Sequence, residues 1–98
     1  MPDFPNPFPG MVQRKLTKGE LIRAIRLDIA AEHEATQLYT AQAEATDDPL
    51  AKKILLEIAD EERVHIGEFM EILRRLAPEE EGFLAEGKAE VEEAAEGV

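Results

Sequence analysis

From Thr17 to Ala77 the chain is rich in helix formers and carries a single polar break, Thr46-Asp47-Asp48-Pro49. Proline has no amide hydrogen and clashes inside a helix, yet it fits the first helical position, and an aspartate before it is a good N-cap. The break therefore ends one long helix near Ala45 and starts a second at Pro49. So short a connection forces the two to run antiparallel, as an αα-hairpin. Thr17-Lys18-Gly19-Glu20 has capping-box spacing just ahead of an apolar run, which starts the first helix at Thr17. Pro78 stops the second, predicted to run from Pro49 to about Leu76.

No strand-like alternation and no long internal repeat occurs, so the fold class is all-α. After Pro78, Glu79, Glu80 and Glu81 suit the positive end of a short third helix. Its limits are blurred by Gly82 and Gly87, and the acidic stretch from Glu90 to Glu96 is expected to fray. The organisation is a proline-rich extended arm (1–15), a helical hairpin (16–77) and a short acidic C-terminal helix and tail (78–98). In the arm, Pro2, Pro5, Pro7 and Pro9 alternate with Phe4 and Phe8. That pattern gives a leader without fixed structure, or a stiff strut whose phenylalanines dock on a neighbour.

Ninety-eight residues bury only a modest core alone, so self-association is expected. Eleven basic residues against 22 acidic ones give a charge of −11, which argues against nucleic acid and anionic membrane surfaces and favours attraction of cations. The absence of cysteine excludes disulfides, thiolate zinc sites and iron-sulfur clusters. Any metal must be held by oxygen and imidazole. No apolar run is long enough to span a bilayer, and the start lacks the basic and apolar regions of a signal peptide. The expected location is cytoplasmic.

Steps of three and four residues define one stripe on each long helix. On the first it reads Ile22, Ile25, Ile29, Glu32, Thr36, Tyr39 and Ala43; on the second, Ile54, Ile58, Glu62, His65, Phe69, Ile72 and Leu76. Two carboxylates and an imidazole thus interrupt apolar seams at matching depth, which is costly unless a cation compensates. Taken singly, Glu62 and His65 could be an ordinary helix pair and Glu32 a solvated side chain. Together, a bound metal accounts for all three. Glu62-x-x-His65 leaves one face of its helix within reach of one ion, the way di-iron bundles build half a site. Such bundles need a glutamate from each of two helices and a Glu-x-x-His pair from each of the other two. This chain has one of each, so the arithmetic predicts an obligate homodimer holding two metals between four carboxylates and two imidazoles.

Ala31-Glu32-His33-Glu34-Ala35-Thr36-Gln37-Leu38-Tyr39, the Thr46–Pro49 turn, and Ala59-Asp60-Glu61-Glu62-Arg63-Val64-His65-Ile66-Gly67-Glu68-Phe69 together resemble the encapsulated ferritins, a half-ferritin branch of the ferritin-like superfamily. The resemblance spans roughly 16–86. It implies a ferroxidase that oxidises Fe(II) to Fe(III) at a centre of two irons per dimer, with Glu32, Glu62 and His65 as ligands and Tyr39 close behind them. It further implies a ring of dimers such as a decamer, housed inside an encapsulin shell and serving iron storage and detoxification. Glu34 fits a metal uptake site seen in some members, although Ala31 supplies no second carboxylate there. His33 matches no family ligand and is expected to be an exposed structural histidine.

Glu57, Asp60, Glu61, Glu68 and Glu71 fall largely off the second stripe and are expected on a solvated face that draws cations inward. Leu55, Leu56, Ile66, Met70 and Leu73 also lie outside it, which widens the apolar surface beyond what one helix covers. Two alternatives stay open. One is a di-iron peroxidase resembling rubrerythrin, using the same ligands. The other is a non-enzymatic helical scaffold with a structural metal.

Overall fold

The computed structural model describes residues 14–98. Most of the expected arm, residues 1–13, lies outside them. The described chain is three α-helices: α1 (Lys18–Glu44), α2 (Pro49–Leu76) and α3 (Glu80–Ala95). Each start has a local cause. At α1 the Thr17 hydroxyl accepts from the Glu20 amide at 3.2 Å while the Glu20 carboxylate accepts from the Thr17 amide at 2.9 Å, closing the capping box. Arg14 adds two 2.7 Å hydrogen bonds to Glu20. The Arg14 guanidinium, with the Thr17 amide, lowers the Glu20 carboxyl from 4.5 to about 2. At α2, Asp48 accepts from the Leu50 and Ala51 amides at 3.0 and 3.1 Å, and Pro49 occupies the first helical position.

Replacing Asp48 by alanine leaves both amides without their acceptor. The expected loss is about 1 kcal/mol, read as a fall of roughly 4–8 °C in the melting temperature followed by circular dichroism. An unchanged midpoint would mean that Pro49 and packing alone define the start of α2.

α1 and α2 pack along their length. Ile25, Leu73 and Ala77 form the buried cluster at the open end, with Ile22, Ile29, Phe69 and Leu76 packed against it. Nearer the turn the buried side chains are small: Thr36, Ala43 and Ala59. Thr36 turns its hydroxyl back to the Glu32 carbonyl at 2.9 Å, so no buried donor is lost. No large side chain is fully enclosed among the described residues, because two helices cannot surround one.

The stripe expected on α1 is the one found: Ile25, Thr36 and Ala43 are buried, and Ile22, Ile29, Glu32 and Tyr39 are half-buried. On α2 the expectation needs correction. The buried line is Ala59, Ile66 and Leu73, whereas Ile54 and Ile72 remain 42% and 43% exposed. Ile66 and Leu73, expected outside the seam, are its centre. The apolar face of α2 is wider than α1 can cover, and the contact centres on the line where small Ala59 admits a close approach. Ile54, His65 and Ile72 are left on an open flank.

α3 also differs from expectation. It runs unbroken through Gly82, Gly87 and the acidic stretch to Ala95, and buries none of its residues. Phe83, Leu84 and Val91 stand 68%, 59% and 69% exposed. Its first turn is tied to the hairpin by Arg26–Glu80 at 2.5 Å and Arg74–Glu81 at 3.6 Å. No helix among the described residues is long and apolar enough to cross a membrane.

Candidate metal centre

Glu32 and Glu62 lie at similar distances before and after the turn, so the antiparallel hairpin sets them opposite one another. His65, one turn beyond Glu62, shares its face. The result is a cluster whose ligand atoms, one from each of Glu32, Glu62 and His65, all lie within 4.8 Å of one another. His65 Nδ1 is 3.6 Å from Glu32 Oε2 and 3.5 Å from Glu62 Oε2.

Those separations are long for hydrogen bonds. They are close to what a shared cation requires, since ligand atoms each about 2.1 Å from one ion stand roughly 3.0–3.4 Å apart. Glu32 Oε2 is buried without a hydrogen-bond partner. Leaving a carboxylate oxygen so costs about 1–3 kcal/mol or more, which a cation would offset. Neither glutamate meets a lysine or arginine among the described residues. The donor set of hard carboxylate oxygens and one imidazole suits Fe(II).

The cluster is closed on one side only. The Glu32 and Glu62 side chains retain 20% and 18% of their exposure, but His65 retains 48%. Beside it runs a groove of about 360 Å³ lined by Glu32, His65, Glu68, Phe69 and Ile72. One chain therefore supplies three protein ligands and an open edge.

The other residues singled out from the sequence stand apart. Tyr39 is half-buried on α1, two turns from Glu32 and outside the cluster; Glu34 and His33 are exposed. Sequence reasoning passed over Asp28, one turn before Glu32, an exposed residue whose carboxyl is raised by partial desolvation. Its spacing of four from Glu32 was the available signal. Of the acids on the outer side of α2, Asp60 is neutralised by Arg63 at 2.7 Å and Glu71 by Arg74 and Arg75 at 2.6 and 2.8 Å. Those two guanidinium groups hold the Glu71 carboxyl at about 2.

Known proteins share this arrangement of helices. The family model described as Rubrerythrin matches residues 24–97. The encapsulin nanocompartment cargo protein EncC of Myxococcus xanthus is 51% identical over 75 residues, which are 76% of this chain and 58% of that protein. A ferritin-like–encapsulin shell fusion protein of Pyrococcus furiosus is 46% identical over 77 residues, 79% of this chain and 22% of that one. The chain thus spans less than two thirds of either curated relative. The crystal structure of the encapsulated ferritin domain from Pyrococcus furiosus superposes with a TM-score of 0.82 at 41% identity, over 93% of each chain.

Proposed function

The chain belongs to the rubrerythrin family of ferritin-like proteins, and from that premise we propose that it is a ferroxidase whose site is completed by a second copy of itself. The observation that carries this reading is the convergence of Glu32, Glu62 and His65 around an unpartnered buried oxygen at an open edge. A twofold dimer would close the edge and double the set to four carboxylates and two imidazoles. Four negative charges balance two Fe(II) ions. The half-site unit is the hairpin of residues 16–77, and residues 78–98 lie beside it.

Iron enters as substrate. A pair of Fe(II) ions supplies two electrons; dioxygen accepts both with two protons and leaves as hydrogen peroxide, or peroxide accepts them and leaves as two waters. The protein's own part is positional. Glu32 and Glu62 hold the cations and move between terminal and bridging modes as charge rises, and the His65 imidazole fixes each ion against α2. Phe69 and Ile72 limit water at the groove. Tyr39, half-buried two turns along α1 from Glu32, is the proposed source of a hydrogen bond or an electron, and exposed Glu34 the proposed uptake carboxylate.

A further part of the proposal is that the dimers assemble into a ring housed by an encapsulin shell in the cytoplasm and serving iron storage; the names of the Myxococcus and Pyrococcus relatives support the association with a shell. A second reading keeps the same ligands but takes peroxide, not dioxygen, as the oxidant and its removal as the purpose, and the match to the Rubrerythrin model is equally compatible with it.

Anaerobic Fe(II) titration followed by admission of air tests the proposal. The expected result is ferric absorbance rising faster than protein-free iron and saturating at one pair per dimer, with the dimer or its multiples seen by sedimentation. Oxidation faster with peroxide than with air selects the second reading. Rates at the protein-free baseline would sink both and leave a helical scaffold with a structural metal.

A further inference from the structure

We propose that the apolar side of α3 seats the chain's own N-terminal segment, with Phe8 set against Leu84 and Phe4 against Val91. This surface lies away from the metal centre, and nothing in its seating depends on a bound ion.

α3 is a helix without a partner. It buries none of its residues, and Phe83, Leu84 and Val91 are 68%, 59% and 69% exposed. Leu84, Gly87 and Val91 follow one another in steps of three and four, so they share one side of the helix, and Phe83 stands four residues before Gly87. Nothing lies within 4 Å of where a Cβ on Gly87 would be. The stripe therefore holds an open notch between two aliphatic side chains, with an aromatic ring beside it. Such a surface suits proline and phenylalanine rings carried on an extended strand.

The twofold contact proposed for the metal centre leaves this side alone. α3 is tied to α2 through Arg74 and Glu81, and Arg74 follows His65 by nine residues, about two and a half turns, which puts the two on opposite sides of α2. A second α3 is a poor cover, because it would set six glutamates and one lysine against the same set. Like charges brought together at an interface oppose association.

Residues 1–13, outside the described residues, have the opposite character: their one charged side chain is Asp3, and they carry Phe4 and Phe8 among four prolines. Their root is fixed near the start of α3. Arg14 makes two 2.7 Å bonds to Glu20, and Arg26, which holds Glu80, lies six residues further along α1, about 9 Å. The six residues from Phe8 to Arg14 span about 19 Å in the extended form that prolines favour, enough to pass from one attachment to the first turns of α3. Phe8 and Phe4 are then about 12 Å apart, against about 10 Å between Leu84 and Val91. The order agrees as well, since α3 leads away from Glu80 as the segment leads away from Arg14.

The chain has no tryptophan, so a single one reports its own surroundings. In full-length Phe83→Trp, acrylamide quenching is expected to be at least about 2-fold weaker than in the same protein carrying Phe4→Ser and Phe8→Ser, because two rings then leave the surface beside the reporter. Circular dichroism should not distinguish the two, since neither phenylalanine belongs to the hairpin core. A reporter in the segment gives the converse reading: Phe8→Trp should be shielded likewise, and Leu84→Asp with Val91→Asp should remove the shielding.

Equal quenching of Phe83→Trp with and without the two phenylalanines overturns the proposal. At a high rate α3 is bare; at a low rate something other than this segment, a second copy included, covers it. Shielding that needs the phenylalanines but vanishes on dilution to single chains also overturns it, because the segment would then come from a neighbouring copy.

Discussion

Glu32→Ala, Glu62→Ala and His65→Ala should each bring Fe(II) oxidation down to the protein-free rate, a loss of at least about 100-fold, since even groups that only support metal ligands cost 10–100-fold when removed. In a twofold dimer each substitution acts twice, which leaves too few donors for a pair of irons. The same variants should behave differently in the absence of metal. Glu32 Oε2 is buried without a partner, so deleting that carboxylate removes a desolvation penalty. Metal-free Glu32→Ala is therefore expected to melt at or above wild type. Fe(II) or Co(II) should raise the wild-type midpoint by mass action and leave the Glu32→Ala midpoint where it was. A metal-free Glu32→Ala that melts well below wild type would make Glu32 a structural residue, and its lost activity would then say nothing about ligation.

The hairpin was legible in the sequence because its determinants are local. Thr17 with Glu20, and Asp48 with Pro49, satisfy amides within three residues of themselves, so the starts of α1 and α2 fall where the capping chemistry puts them. The third helix was harder for the same reason. No side chain caps it, since Glu79 makes no such hydrogen bond, and two glycines interrupt its pattern. Its first turn is tied to Arg26, far away in sequence on α1, and to Arg74 across the break at Pro78, and no capping rule reports either pair.

The cluster was legible for a further reason. Carboxylates and an imidazole inside apolar stripes violate the expected pattern, and the violations fall level with one another across the hairpin. What the pattern did not carry was rotation. A broad apolar face on α2 is compatible with several lines of contact, and periodicity measures its width without marking its centre. Ile66 and Leu73 therefore proved central, and Ile54, His65 and Ile72 lateral. Asp28 was passed over because it looks like an ordinary helix-surface acid, and Glu68 was read with its neighbours as part of a solvated face because no sequence pattern marks the groove it lines.

That rotation leads to the second large effect. Ile54→Asp and Ile72→Asp should convert the dimer to monomer and abolish oxidation while leaving every ligand in place. Both side chains are more than 40% exposed in the single chain, and neither belongs to the buried cluster of Ile25, Leu73 and Ala77. A charge there costs the isolated hairpin little. In the proposed dimer the same flank carries His65 and closes the open edge of the centre, so each twofold-related pair of aspartates would place unpaired carboxylates in a desolvated apolar interface. Helical content by circular dichroism should match wild type, sedimentation should give the mass of one chain, and the ferric signal should rise no faster than free iron. Activity per chain in the wild type should fall on dilution in step with the dimer. An Ile72→Asp protein that is monomeric yet oxidises iron at the wild-type rate would show that one hairpin suffices, and the twofold completion of the site would have to be abandoned.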